Sequence, residues 1–165
     1  GYDKRSFLEL LSGGRGLELA PEGLTVLRAG EARGPLFGGT ITQLVSSLGT
    51  PFTFDPPEGC VLFLEEVSER PYRIDRMLTQ LALSGLLARA RALVFGEMRG
   101  CDEPGGNVSA LDAIRRTTRE FPGPVVVGFP SGHTTGPMWT LPLGVTVAVS
   151  TGPQPALVIE EAPVE

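Results

Sequence analysis

The chain contains one histidine, His133, within Pro124-Val-Val-Val-Gly-Phe-Pro-Ser-Gly-His133-Thr-Thr-Gly-Pro137. The β-branched residues Val125 to Val127 favour a strand. Gly128, Pro130, Gly132, Gly136 and Pro137 then force a turn. The imidazole is therefore expected on a loop just past a strand end, where α/β sheets place reactive side chains. On its own, a solitary loop histidine is a solvated group with nothing to act on. A second stretch changes that weighing: Cys60-Val-Leu-Phe-Leu-Glu65-Glu66 is another apolar run that stops at carboxylates. A histidine general base needs a carboxylate on one ring nitrogen, to fix its tautomer and steady the imidazolium. Glu65 or Glu66 can supply it if the two strand ends share an edge. Successive strand residues face opposite sides, so only one of the pair can serve, and alternation does not choose between them.

A nucleophile is not apparent. Ser46 and Ser47 fall in a helical stretch, Ser109 reads as a helix cap, and no strained nucleophile elbow surrounds Ser131. Neither Cys60 nor Cys101 sits among activating neighbours. A single histidine with no cysteine pair and no second histidine is a poor metal-binding set. No metal and no cofactor are expected. The residues alone describe a base and its orienting acid without a hydroxyl to activate, which is half an active site.

The elements that must position these residues read as follows. Ser6 to Leu11 suits one or two helical turns, and Leu24 to Leu27 a strand. Gly30 to Gly39 reads as a loop. A helix then starts at Thr40, whose spacing to Gln43 fits a capping box. The Gly38-Gly39 pair before it offers bare amides to an anion or, more plainly, makes a tight turn. Pro51 to Phe54 suits a short strand. Cys60 to Leu64 is a continuous apolar run, expected to be a central strand buried on both faces. A helix opens at Pro71 with the stripe Ile74, Met77, Leu78 and Leu81. Ala92 to Phe95 is the next strand. Ser109 with Asp112 marks a capped helix reaching about Phe121. Trp139 to Leu141, Val145 to Val149 and Ala156 to Ile159 read as strands, and the tail from Glu160 as frayed. This order predicts an α/β domain with a mixed sheet partly covered by helices.

Length and composition agree with one domain that has a real core: 165 residues, 41% of them hydrophobic. The net charge of −5 is spread without a basic block, which argues against a nucleic-acid partner. No apolar run is long enough to span a bilayer, so no membrane partner is expected. Cys60 lies inside an apolar strand and is read as a small buried hydrophobe.

The run from Gly59 to Leu78, with Glu65-Glu66-Val-Ser-Glu-Arg-Pro71-Tyr72-Arg73-Ile-Asp75-Arg76 at its centre, resembles the middle of the LD-carboxypeptidase family. These serine peptidases include muramoyltetrapeptide carboxypeptidases and microcin-immunity peptidases. Pro124 to His133 and Pro142-Leu-Gly144 resemble the family's histidine loop. Gly34 to Pro51 resembles the start of its C-terminal domain. The resemblance implies a swivelling β/β/α domain over residues 21–165, with residues 1–20 as a linker or remnant of a preceding region. It implies that Glu65 is the catalytic glutamate and His133 the catalytic histidine. The nucleophilic serine would belong to an N-terminal domain absent from this chain, which is the first partner expected. A cell-wall muropeptide ending in a D-amino acid would be the substrate, in cytoplasmic peptidoglycan recycling, and a homodimer is a further expected partner. A microcin-type peptidyl-nucleotide substrate and a non-enzymatic peptide-binding role are the alternatives. Gly39, Thr40 and Trp139 are candidate binding residues. The family carries Asn where this chain has Thr40. Arg73, Asp75 and Arg76 are read as a local ion-pair set.

Overall fold

β4, Cys60–Glu65, is buried at every position, as its unbroken apolar run requires of a strand covered on both sides. Around it the computed structural model, which describes residues 1–164, builds an eight-stranded mixed sheet. The strands are β1 (Glu18–Leu19), β2 (Thr25–Arg28), β3 (Glu31–Thr40), β4, β5 (Ala90–Gly96), β6 (Val125–Phe129), β7 (Thr146–Ser150) and β8 (Ala156–Ile159). Their order across the sheet is β1-β8-β7-β3-β4-β5-β6-β2. β3 to β6 run parallel, and the strands flanking this central group are antiparallel. The helices are α1 (Lys4–Leu11), α2 (Ile41–Ser47), α3 (Pro71–Leu83), α4 (Leu86–Arg89) and α5 (Ala110–Thr117).

The pleat sorts the apolar residues of the parallel strands into two cores. Leu62, Leu64, Leu93, Phe95, Val125 and Val127 pack with Ile74, Leu78, Leu81 and Ile114 of the helices. Val61, Phe63, Val94, Val126 and Phe129 meet Val147, Val149, Leu157 and Ile159 instead. The sheet therefore curls until β7 and β8 cover the face that the helices leave open. The result is the β/β/α layering that the family resemblance implied.

The curl passes through β3, which was expected to be a loop. Glu31–Pro35 pair with β7, and Leu36–Thr40 pair with β4. Its glycines are there because neighbouring backbone comes too close for a side chain. A Cβ on Gly34 would lie 2.0 Å from the Gly59 carbonyl oxygen, and one on Gly38 would lie 1.8 Å from that of Phe63.

Four further expectations need correction. Residues 1–20, expected as a linker or a remnant of a preceding region, are packed onto the domain and do not form a free linker. Asp3 caps α1 by accepting the Ser6 N–H at 2.7 Å, Leu10 and Leu19 enter the β-side core, and β1 pairs with β8. Pro51 to Phe54 is a turn region, and Trp139 to Leu141 is not a strand. Trp139 instead stands edge-on to Phe129, with ring centroids 6.3 Å apart. The tail is tied down at least as far as Glu161, whose carboxylate accepts the Thr146 N–H at 2.9 Å; Glu165 lies outside the described residues.

Ser109 and Asp112 form the capping box expected for α5. Cys60 and Cys101 are both buried and free. Arg73 pairs with Glu69 at 3.2 Å, Asp75 with Arg116 at 3.0 Å, and the Arg76 guanidinium lies 5.5 Å from the Tyr72 ring centroid. Only the Arg73–Glu69 pair is local, as read; Asp75 instead ties α3 to α5, and Arg76 lies against an aromatic ring and is not part of an ion pair among the described residues. Among the described residues, no helix is long and apolar enough to cross a membrane.

Candidate active site

The parallel strands β3, β4, β5 and β6 end along one rim of the sheet, with Thr40 in register with Glu65 and Gly96 with Phe129. Open α/β sheets bind their ligands at such carboxyl ends. The chain leaves β6 into the loop that carries His133, and the Trp139 N–H closes that loop by donating to the Pro130 carbonyl at 2.7 Å. Glu97, just past β5, accepts the Thr135 N–H at 2.7 Å and fixes the loop's outer side.

At this rim Glu65 and His133 meet. Glu65 Oε2 lies 2.8 Å from His133 Nδ1 and also accepts the His133 backbone N–H at 3.0 Å. Two bonds to one oxygen set both the position and the orientation of the ring. With the carboxylate on Nδ1, that nitrogen carries the proton and Nε2 presents its lone pair. The imidazole is 51% exposed while the Glu65 side chain is 5% exposed. The acid is therefore buried behind the base, and the base faces outward.

The pocket around Glu65 is built for a carboxylate. Thr40 Oγ1 donates to the other oxygen, Oε1. A Cβ on Gly96 would lie 2.8 Å from Glu65 Cβ, and one on Gly132 would lie 2.6 Å from Glu65 Cγ. Gly132 also has φ +79°, which favours glycine. Burial pushes the Glu65 carboxyl up, but the Thr40 hydroxyl, the His133 amide and the imidazole together outweigh it and hold the group below its ordinary value.

Glu66 goes the other way. Its buried carboxylate accepts the Thr42 N–H at 2.8 Å, the Thr42 hydroxyl at 2.6 Å and the Val67 N–H at 3.1 Å. This settles which of the adjacent acids faces the histidine. It also corrects the reading of α2. The expected capping box at Thr40 does not form, because the Thr40 hydroxyl is spent on Glu65. The Thr42 amide at the helix start is taken by Glu66, and the Gly38-Gly39 pair, expected as a tight turn, lies in β3 paired with Phe63 and Leu64.

The matching family profile is the LD-carboxypeptidase C-terminal domain, over residues 33–149. The chain belongs to that family. A probable murein peptide carboxypeptidase of Bacillus subtilis (strain 168) is 36% identical over 86% of the chain. The microcin C7 self-immunity protein MccF of Escherichia coli is 27% identical over 73% of it. The crystal structure of muramoyltetrapeptide carboxypeptidase from Oxalobacter formigenes superposes with a TM-score of 0.76 at 28% identity, covering 93% of this chain and 52% of that one. The chain spans 44% of the length of the Bacillus relative and 35% of that of MccF.

Within this LD-carboxypeptidase C-terminal domain, the sequence candidates divide. Glu65, His133 and Thr40 converge on one hydrogen-bonded cluster, and Gly39 adjoins it at the end of β3. Trp139 sits at the base of the histidine loop and packs into the β-side core. Gly96 and Glu97 do not stand out in the sequence, and Gly132 is legible there only as a turn residue. Gly132 lay within the quoted motif, yet its closeness to Glu65 depends on a contact between segments 67 residues apart. No serine hydroxyl bonds to His133 among the described residues. Those of Ser46, Ser47 and Ser109 bond to Thr42, Leu44 and Asp112. Burial pushes both cysteine thiols up, away from the thiolate a nucleophile needs.

Proposed function

We propose that this domain supplies the base and its orienting acid to a serine LD-carboxypeptidase, with the nucleophilic serine carried by an N-terminal domain outside these 165 residues. The observation that carries the reading is the Glu65–His133 pair, with Nδ1 held at 2.8 Å and the ring's other nitrogen turned outward. In this role Nε2 takes the proton from the serine hydroxyl as its oxygen attacks the peptide carbonyl. The ionised Glu65 stabilises the imidazolium that results. The imidazolium then returns the proton to the departing amine of the terminal D-amino acid. Water, deprotonated by the same nitrogen, then attacks the acyl carbon; the bond to the serine oxygen breaks and the imidazolium returns the proton to that oxygen. No step calls for a metal or cofactor.

The murein-peptide relatives support a cell-wall tetrapeptide as substrate; its cleavage in cytoplasmic recycling is part of the proposal. The likeness to the microcin C7 self-immunity protein supports a peptidyl-nucleotide conjugate as the second substrate class. The test pairs this chain with the full-length protein and gives both preparations each substrate. Release of a D-amino acid by the full-length protein and none by the domain alone is the expected result. Enzyme-like turnover by the domain alone would overturn the divided site.

A further inference from the structure

Thr40 stands at the N-terminal flank of α2, with φ −67° and ψ 123°, where a threonine hydroxyl ordinarily caps the helix. It does not cap here. The Glu66 carboxylate reaches across from the end of β4 and satisfies the Thr42 N–H instead. With the helix start served from outside, the Thr40 side chain is free to turn toward the sheet. Parallel pairing of β3 with β4 puts Thr40 directly beside Glu65, and Oγ1 donates to Oε1.

The two Glu65 oxygens therefore have separate duties. Oε2 serves the His133 amide and ring, and Oε1 serves Thr40. The last torsion of a glutamate is broad and roughly two-fold. A carboxylate held through one oxygen alone can turn about it and tilt away from the imidazole. Gly96 and Gly132 crowd its sides without bonding to it.

We propose that Thr40 is a positioning residue: its hydroxyl locks the plane of the Glu65 carboxylate so that Oε2 stays on His133 Nδ1. This rests on the reading above, in which Glu65 orients a catalytic His133. It gives Thr40 a part played through Glu65, distinct from the substrate contact expected of it from sequence.

Thr40→Val removes the donor at nearly constant shape, and Thr40→Ser keeps it. The first measurement follows the Glu65 carboxyl through its titration by 13C NMR in this chain. Thr40→Val raises the midpoint, because burial then meets one donor fewer, and Thr40→Ser restores it. His133 is the titratable group that acts on Glu65; the β3 and β5 sides present Thr40 and Gly96. The second measurement is turnover by the full-length protein. Thr40→Val lowers kcat about tenfold, the scale of one hydrogen bond to a charged group, with KM unchanged, and Thr40→Ser recovers it. An unmoved Glu65 midpoint in Thr40→Val, or a Ser variant as slow as the Val variant, overturns the proposal. So does an equal loss of folding stability in both variants with the titration unchanged. Full activity in His133→Ala would sink the functional reading instead, and the carboxyl titration would still decide the Thr40–Glu65 contact.

Discussion

Glu65 and Glu66 are adjacent in the chain and direct their carboxylates to different tasks, one to the His133 imidazole and the other to the first turn of α2. The division follows from the pleat. Glu65 shares the parity of Val61 and Phe63, which face the β layer, and Glu66 that of Leu62 and Leu64, which face the helices. The two acids should therefore fail differently. Glu65→Gln in the full-length protein is expected to lower kcat on the order of 10³- to 10⁴-fold, the scale seen when a triad carboxylate becomes an amide. Glu66→Gln is expected to act on the unfolding midpoint, by about 1–3 kcal/mol for the buried acceptor it weakens. Urea titrations and kcat values measured on both variants separate the two roles.

The lowered Glu65 carboxyl sets a pH dependence. The folded chain holds this group ionised more firmly than the unfolded chain does. Its stabilising contribution is thus complete above the ordinary value of 4.5 and declines as pH falls from there toward the folded value. Below the folded value it is gone. Unfolding free energies of the wild type and Glu65→Gln, compared across pH, should show a difference that is present just above this window and shrinks as pH falls through it. A difference that grew on acidification would have the wrong sign.

Gly132 and Gly136 lie in the same loop and offer a controlled comparison. An added methyl on Gly132 would meet the Glu65 side chain at 2.6 Å, on a backbone at φ +79°. Gly136 has open space around it and no such dihedral. Gly132→Ala should cost about 1–2 kcal/mol from the backbone alone. It should also displace the carboxylate, with a matching fall in kcat. Gly136→Ala should leave both stability and turnover near wild type, as read by thermal melts and initial rates.

Gly38→Ala is expected to prevent folding outright, since its Cβ would lie 1.8 Å from a backbone oxygen of β4 that cannot move aside. Loss of the far-ultraviolet circular dichroism signal is the readout. A folded, soluble Gly38→Ala chain would contradict the close approach of β3 and β4.

The same glycine shows why part of the fold was hidden in the sequence. Cys60 to Leu64 and Val125 to Val127 announce buried strands because their apolar runs record burial residue by residue. The Ser109–Asp112 cap is legible because both partners lie within one turn. β3 carries glycine, proline and charge, which locally spell a loop, and its strand character comes from neighbours 25 residues onward and over 100 residues onward. Thr40 and Gln43 have the spacing of a capping box, yet the hydroxyl is claimed by Glu65 across the sheet. The pair Glu65 and His133 was legible as a pair of strand-end groups. The oxygen each donor would choose, and the glycine walls behind the acid, depend on register and loop closure, which no local pattern records.

The central claim is that the outward nitrogen of His133 carries protons for a hydroxyl supplied from beyond this chain. The most direct measurement is kcat for D-amino-acid release by the full-length His133→Ala protein, with its folding checked by its unfolding midpoint. The account expects a folded protein whose turnover has dropped by on the order of 10³-fold or more. A folded variant working within a few-fold of wild type would contradict it.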